Sequence, residues 1–285
     1  MKTISSILSI QKVVTAIRDK KRRIGLVPTM GAFHEGHLSL MRKARRECDI
    51  VVVSLFVNPL QFGPTEDFKR YPCDLMADRK MAQAAGVDFL FAPTAEAIVP
   101  PDLETSVSVD KVASRWEGTI RPGHFRGVAT IVAKLFQIVN PHVAYFGQKD
   151  YQQTVVIRKM VRDLHFNLKL RILPTVREKD GLAKSSRNKF LLKKERSVAS
   201  ILYRALQQAK QSVQEGEHDC QRLAQQVALI FSAEPSVQVD YIAFCHPTTL
   251  GLVSRVLRKT VLLLAVRIGS VRLLDNIILH RQRAL

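Results

Sequence analysis

Five short apolar runs, each separated from the next by longer mixed sequence, constrain the fold of this chain more than any other feature. They are RIGLVP (23 to 28), DIVVVSLFVN (49 to 58), VDFLFAP (87 to 93), HVAYFG (142 to 147) and LKLRILPTV (168 to 176). A strand with one face in water alternates apolar and polar residues, whereas an almost unbroken apolar run needs cover on both faces. The pattern therefore predicts a parallel, doubly wound α/β sheet with helices between the strands. The clearest helix is FRGVATIVAKLFQIVNP. There Val128, Ile131, Val132, Leu135, Phe136 and Val139 recur at spacings of three and one to form a single apolar face, and Pro141 follows its end. Past Val176 the character changes. Polar helices are expected over 193–216 and 219–234, then strands at VDYIAFC, TVLLLAVRI and SVRLLDNIIL. The 285 residues divide on this reading into domains 1–175 and 176–285.

Composition excludes several classes. The longest apolar runs, VVVSLFV and VLLLAV, fall short of the roughly 18 to 20 residues that cross a bilayer, and MKTISSILSI lacks the marks of a secretory signal, so a cytoplasmic protein is expected. Cys48, Cys73, Cys220 and Cys245 are scattered without C-x-x-C pairs, which argues against a zinc site or a disulfide framework. Forty-four Lys and Arg against 25 Asp and Glu give a net charge of +19, a balance that attracts polyanions. No basic stripe interleaved with aromatics accompanies it, which favours phosphate-bearing small molecules over nucleic acid.

Four segments carry candidate chemistry. PTMGAFHEGH (28 to 37) sits where the first run gives way to a helix starting near His37. At the carboxyl edge of such a sheet, a helix amino terminus presents N–H groups to an anion. Gly31 and Gly36 allow close approach, and His34 and His37 are positioned to donate to phosphoryl oxygens; alternatively, one caps the helix and the other packs. FGQKDYQQ (146 to 153) belongs on the same edge, with Lys149 a point charge for phosphate and Asp150 a ribose or metal ligand. DGLAKSSRN (180 to 188) offers Ser185, Ser186 and Arg187 to a triphosphate tail or departing pyrophosphate. NPLQFGPTEDFKRYP (58 to 72) offers Asn58 and Gln61 to a polar ligand, though buried amides equally serve the backbone.

Together with EGTIRPGHFRGVATIVAKLFQIV, PTVREKDGLAKSSRN, VDYIAFCHPTTL and the closing RLLDN, these segments closely resemble the pantothenate synthetase (pantoate and β-alanine ligase) family across nearly the whole chain. HEGH also resembles the H-x-G-H signature of class I aminoacyl-tRNA synthetases. The resemblance implies a Rossmann-like nucleotidyltransferase domain, a smaller α+β domain, a homodimer, and ATP and Mg²⁺ as co-substrate and cofactor. It implies two steps. Pantoate attacks the α-phosphorus of ATP to give pantoyl adenylate, and β-alanine then displaces AMP. It further implies that Met30, Gly31, Ala32, Phe33, His34, Glu35, Gly36 and His37 line the nucleotide site, with His37 a proton donor. Lys149, Ser185, Ser186 and Arg187 would hold phosphates, and Gly147, Gln148, Lys149, Asp150 and Val176 would meet the nucleoside. Gln61 and Gln153, with Asn58 nearby, would grip pantoate, and Arg121 would orient the substrate region. Asp78 matches an acidic position used for Mg²⁺ in some members, but Ala77 and Met81 stand where those members have polar ligands. Two departures stand out. Lys184 replaces an apolar residue before SSRN and either adds a cationic contact to ATP or swings to solvent. Cys73 replaces a customary arginine, at the cost of a surface charge or a dimer-contact salt bridge.

Overall fold

The structure, a computed structural model, describes residues 1–63, 68, 71–72 and 74–281. Cys73, with residues 64–67, 69 and 70 of the fourth segment, lies outside the described residues. Two compact units emerge: Met1–Gln148 with Gln152–Pro174, and Lys149–Tyr151 with the chain from Thr175 onward.

The first unit is built on six strands: β1 (Lys2–Ile4), β2 (Ile24–Thr29), β3 (Ile50–Leu55), β4 (Phe89–Phe91), β5 (Val143–Gly147) and β6 (Lys169–Leu173). Their order is β1-β4-β3-β2-β5-β6 and every pairing is parallel. Each of the five apolar runs matches one of these strands, with β2 extending one residue past its run, to Thr29. β1 is an addition, three residues long and without a pattern of its own. The runs are unbroken because both sheet faces are covered. On one face Val27, Val51, Val53, Val143 and Tyr145 pack with Leu40, Met41 and Ala44 of helix Glu35–Glu47 and Ala82 of helix Leu75–Ala84. Their strand neighbours Leu26, Val52 and Ala144 are equally inaccessible and point the other way. There, helices Ile7–Asp19 and His124–Val139 pack on each other and on β2, and Phe136 meets Phe146 edge-on.

The strand order decides where a ligand can sit. From β2 the chain steps outward to β3 and β4, then returns to the other side of β2 as β5 and continues to β6. Connections therefore leave the carboxyl ends of β2 and β5 toward opposite sides, which opens the switch-point crevice of doubly wound sheets. Met30 follows β2 there, Asn58 lies just past β3, and Gln148 follows β5.

In the second unit, helices Lys193–Val198, Ile201–Gln214 and Cys220–Ser232 precede β7 (Val237–Cys245), β8 (Thr260–Ile268) and β9 (Val271–Leu279), an antiparallel sheet in that order. The single helix expected over 193–216 is interrupted at Ala199 and Ser200. The first piece carries Arg196 into ion pairs, whereas the second turns Leu202, Leu206 and Val213 into a core with Leu223, Phe231, Phe244, Leu262 and Leu264. Among the described residues no helix is long and apolar enough to cross a membrane.

One close contact fixes the segment after β3. Helix His124–Val139 approaches it so tightly that a Cβ on Gly127 would stand 2.1 Å from the Leu60 carbonyl oxygen. Gly127→Ala must push the two apart. It is expected to cost about 1 to 3 kcal/mol in urea unfolding, and an unchanged midpoint would contradict this packing.

Candidate active site

The turn between β2 and helix Glu35–Glu47 has unusual backbone. Gly31 has φ +92° and Ala32 φ +51°, two consecutive residues in the left-handed region. Glycine takes that conformation freely, but alanine is strained there and needs support from its surroundings. Asp78 supplies the support. Its Oδ2 accepts from the Ala32 N–H at 2.8 Å and its Oδ1 from the Phe33 N–H at 2.7 Å, in a site where Asp78 is only 2% exposed.

The turn delivers the two histidines to the helix start. His34, with extended φ −141°, is the N-cap, so the helix begins before His37. The Gly36 N–H donates to His34 Nδ1 (3.1 Å) and the His34 N–H to His37 Nδ1 (3.3 Å), a reciprocal capping box. A ring nitrogen that accepts carries no proton, so each neutral imidazole carries its N–H on Nε2. Nδ1 of each ring therefore serves the backbone, and the ring N–H lies on Nε2. The rings are 4.2 Å apart between centroids and tilted by 37°.

Asn58 and Gln61 act as a pair, but Asn58 serves structure first. It is 3% exposed, accepts from the Leu60 N–H, and donates to the Gly127 carbonyl and to Gln61 Oε1, each at 3.1 Å. Gln61 Nε2 rests against Met30 Sδ. The Gln61 carbonyl accepts from Arg121 Nη2 at 3.2 Å and from His124 Nδ1 at 2.8 Å. Arg121 also meets His124 Nε2 at 3.2 Å, so His124 links Arg121 to Gln61, a role the sequence did not reveal. Gln153 is half-buried. Its neighbour Gln152, 4% exposed, accepts from the Glu117 N–H and donates to the carbonyls of Val112 and Arg115.

In the second unit, Lys149 pairs at 3.4 Å with the exposed Asp150. Val176 opens a hairpin in which the Lys184 N–H donates to the Val176 carbonyl and Arg177 bridges to Ala183. Ser185 caps the short turn Ser186–Phe190, accepting from the Arg187 N–H. Asn188 donates to Glu178 and to the Ala183 carbonyl, while Arg196 donates to Glu178 and Asp180. Burial opposes charge on Glu178, yet the bonds from Arg196 and Asn188 hold its carboxyl below the usual range. The Arg196 hydrogen bond does the same for Asp180. The Lys184 charge lies near enough to Glu178 to favour its ionised form.

Two further residues come from RLLDN, quoted in the sequence without a role. Asp275, 3% exposed, receives Arg177 bidentately at 2.6 and 3.0 Å. Asn276 donates to the Lys149 carbonyl at 2.8 Å.

The Mg²⁺ expectation at Asp78 requires correction. Both Asp78 oxygens are engaged by backbone amides, Ala77 and Met81 supply no donor, and among the described residues no three His, Cys, Asp or Glu converge as a ligand set. These residues do not fit a cation held by the protein.

A parallel sheet covered by helices on both faces, with a switch-point crevice at its carboxyl edge, defines the Rossmann-like α/β proteins. Comparison with known proteins narrows this. The family model described as pantoate-beta-alanine ligase matches residues 2–278. The pantothenate synthetase of Moorella thermoacetica is 47% identical over 280 residues, covering 98% of this chain and 99% of the relative. That of Heliobacterium modesticaldum is 50% identical over 259 residues, covering 91% and 92%. The crystal structure of pantothenate synthetase from Thermus thermophilus superposes with a TM-score of 0.93 at 45% identity, over 97% of this chain and 99% of that one. The Francisella tularensis pantoate-beta-alanine ligase, crystallised with a β,γ-ATP compound and β-alanine, gives 0.81 at 35% identity, over 98% and 97%. The chain belongs to the pantoate-beta-alanine ligase family.

Asp78→Asn replaces one acceptor with an N–H₂ facing an N–H donor. It is expected to destabilise the protein by about 1 to 3 kcal/mol and to lower kcat, because the turn that aims both imidazoles loosens. Urea unfolding and steady-state rates check this, and wild-type values in both would contradict the clamp.

Proposed function

We propose that this chain condenses pantoate with β-alanine using ATP, releasing AMP and pyrophosphate. The observation that carries the reading is the paired imidazoles at the helix amino terminus, each tied to backbone through Nδ1, in a chain whose family bears this activity's name. In the first step a pantoate carboxylate oxygen attacks the α-phosphorus of ATP, the bond to the bridging oxygen breaks, and pyrophosphate leaves. His34 and His37 donate Nε2–H to the phosphoryl oxygens as charge builds, with His37 the proton donor. Lys149, Ser185, Ser186 and Arg187 hold the departing phosphates as fixed donors, and no covalent enzyme nucleophile is required. Met30 to Gly36, Gly147 to Asp150 and Val176 meet the nucleotide.

Gln61 and Gln153 bind pantoate. Asn58, His124 and Arg121 hold Gln61 in place. In the second step the β-alanine amine attacks the acyl carbonyl, the C–O bond to AMP breaks, and the ammonium proton passes to solvent. Mg²⁺ would enter this reading only as a companion of the triphosphate, where it would neutralise phosphate charge. A homodimer belongs to this reading on the family resemblance, and a cytoplasmic location on the expectation drawn from the apolar runs.

Pantoate-dependent exchange of pyrophosphate into ATP tests activation before amide formation. Exchange is expected in the wild type and is expected to fall about 100- to 1,000-fold in His34→Ala and His37→Ala. Absence of exchange, or full turnover after both replacements, would overturn the mechanism. Lys184→Met is expected to weaken ATP binding several-fold by calorimetry, and unchanged or tighter binding would return Lys184 to solvent.

A further inference from the structure

The Lys149–Tyr151 turn is held from β9 and from the segment just past β7. Asn276 on β9 donates to the Lys149 carbonyl at 2.8 Å, and the Tyr151 hydroxyl donates to the carbonyl of Pro247, two residues past β7, at 3.1 Å. Next to Asn276, Asp275 holds the Val176–Lys184 hairpin through Arg177. The Arg177 guanidinium also donates to the Gly181 carbonyl at 2.9 Å and stacks 4.6 Å over the Tyr203 ring. Successive strand residues point to opposite sides, so one dipeptide reaches two segments at once. Asp275 and Asn276 are each only 3% exposed. The Asn276 N–H also donates to Asp275 Oδ1 at 2.8 Å, which couples the two residues.

Burying a carboxylate and an amide on a strand is costly unless both are bonded, so the pair carries a function beyond filling space. We propose that Asp275 and Asn276 are positioning residues that set Lys149 and the Ser185–Arg187 turn in one rigid frame for the triphosphate. Asn276 places the main chain of the lysine that carries the point charge. Asp275 places the hairpin that leads directly into the hydroxyl and guanidinium donors. Neither touches substrate. Each acts through the backbone or side chain it holds, so its loss is read in the response to ATP and not in the response to pantoate.

This inference rests on the reading of Lys149 and Ser185–Arg187 as triphosphate ligands. The test uses the full chain with Asn276→Leu, which keeps the side-chain branching but has no donor, and Asp275→Asn, which keeps shape and removes charge. Steady-state rates with ATP and pantoate varied separately, calorimetry with α,β-methylene ATP, which resists cleavage at the bond this reaction breaks, and thermal unfolding are compared. Expected for Asn276→Leu is a roughly tenfold loss in kcat/KM for ATP and in analogue affinity, with KM for pantoate within about twofold of wild type. Asp275→Asn is expected to shift the same quantities further. Should it fail to fold, Asn276→Leu decides alone. Wild-type ATP parameters in folded Asn276→Leu, or equal losses toward ATP and pantoate with a lowered unfolding midpoint, would overturn the positioning role. Wild-type protein without pantoate-dependent pyrophosphate exchange would instead undo the reading beneath it.

Discussion

Two hydrogen bonds to one buried carboxylate underlie the geometry of the first unit's site. Asp78 accepts from consecutive amides in a turn with two positive φ angles, one of them at a residue with a Cβ. A carboxylate this buried is tolerable only because both oxygens are bonded, and the strained turn persists because it is bonded in return. The helix that follows is tied at its far end as well. Glu47 accepts from the Tyr145 hydroxyl at 2.9 Å and pairs with Lys43 and Arg171. Burial, and then the neighbouring Cys48, raise the Tyr145 hydroxyl far above the ordinary tyrosine range, so it stays a donor. The hydrogen bond from Lys43 leads those that hold Glu47 ionised. An imidazole pair mounted between such anchors loses little freedom on meeting a ligand, which is the condition for effective charge stabilisation.

The second unit reaches the same end by ionic means. Its hairpin and the turn beyond it are braced by Arg177 on Asp275 and by Arg196 on Glu178 and Asp180. The Arg196 pairs are partly exposed, so each contributes modestly, and their value lies in geometry more than in stability. The Arg177 pair is better shielded and bidentate, which fixes orientation as well as distance.

Much of this is legible in the residues. The unbroken runs at 51–53 and 143–146 signal strands covered on both faces, because helices on either side leave no room for a polar alternation. The histidine pair in HEGH signals a helix amino terminus. Other parts are invisible for a physical reason. A carboxylate looks the same in sequence whether it meets a cation or two amides, so the match to an acidic family position points Asp78 toward a metal. An amide such as that of Asn58 looks equally fit for substrate or backbone, and only the distance to the Gly127 carbonyl assigns it to backbone. His124, Asp275 and Asn276 carry no periodicity that marks them, since their partners are set by the fold and not by a local repeat.

The sequence by itself determined most of the elements, the parallel character of the first sheet, the family and the residue types available for phosphate chemistry. These follow from local pattern: burial on one or two faces, helix starts, and short spacings. Only the tertiary structure decided which nitrogen of each imidazole accepts from backbone, which polar side chains serve backbone, and which strand dipeptide holds Lys149 and the hairpin. Those outcomes depend largely on hydrogen bonds between residues tens to more than a hundred positions apart, such as Phe33 to Asp78 and Asn276 to Lys149. Such bonds exist only once the chain has folded and excluded water from around them.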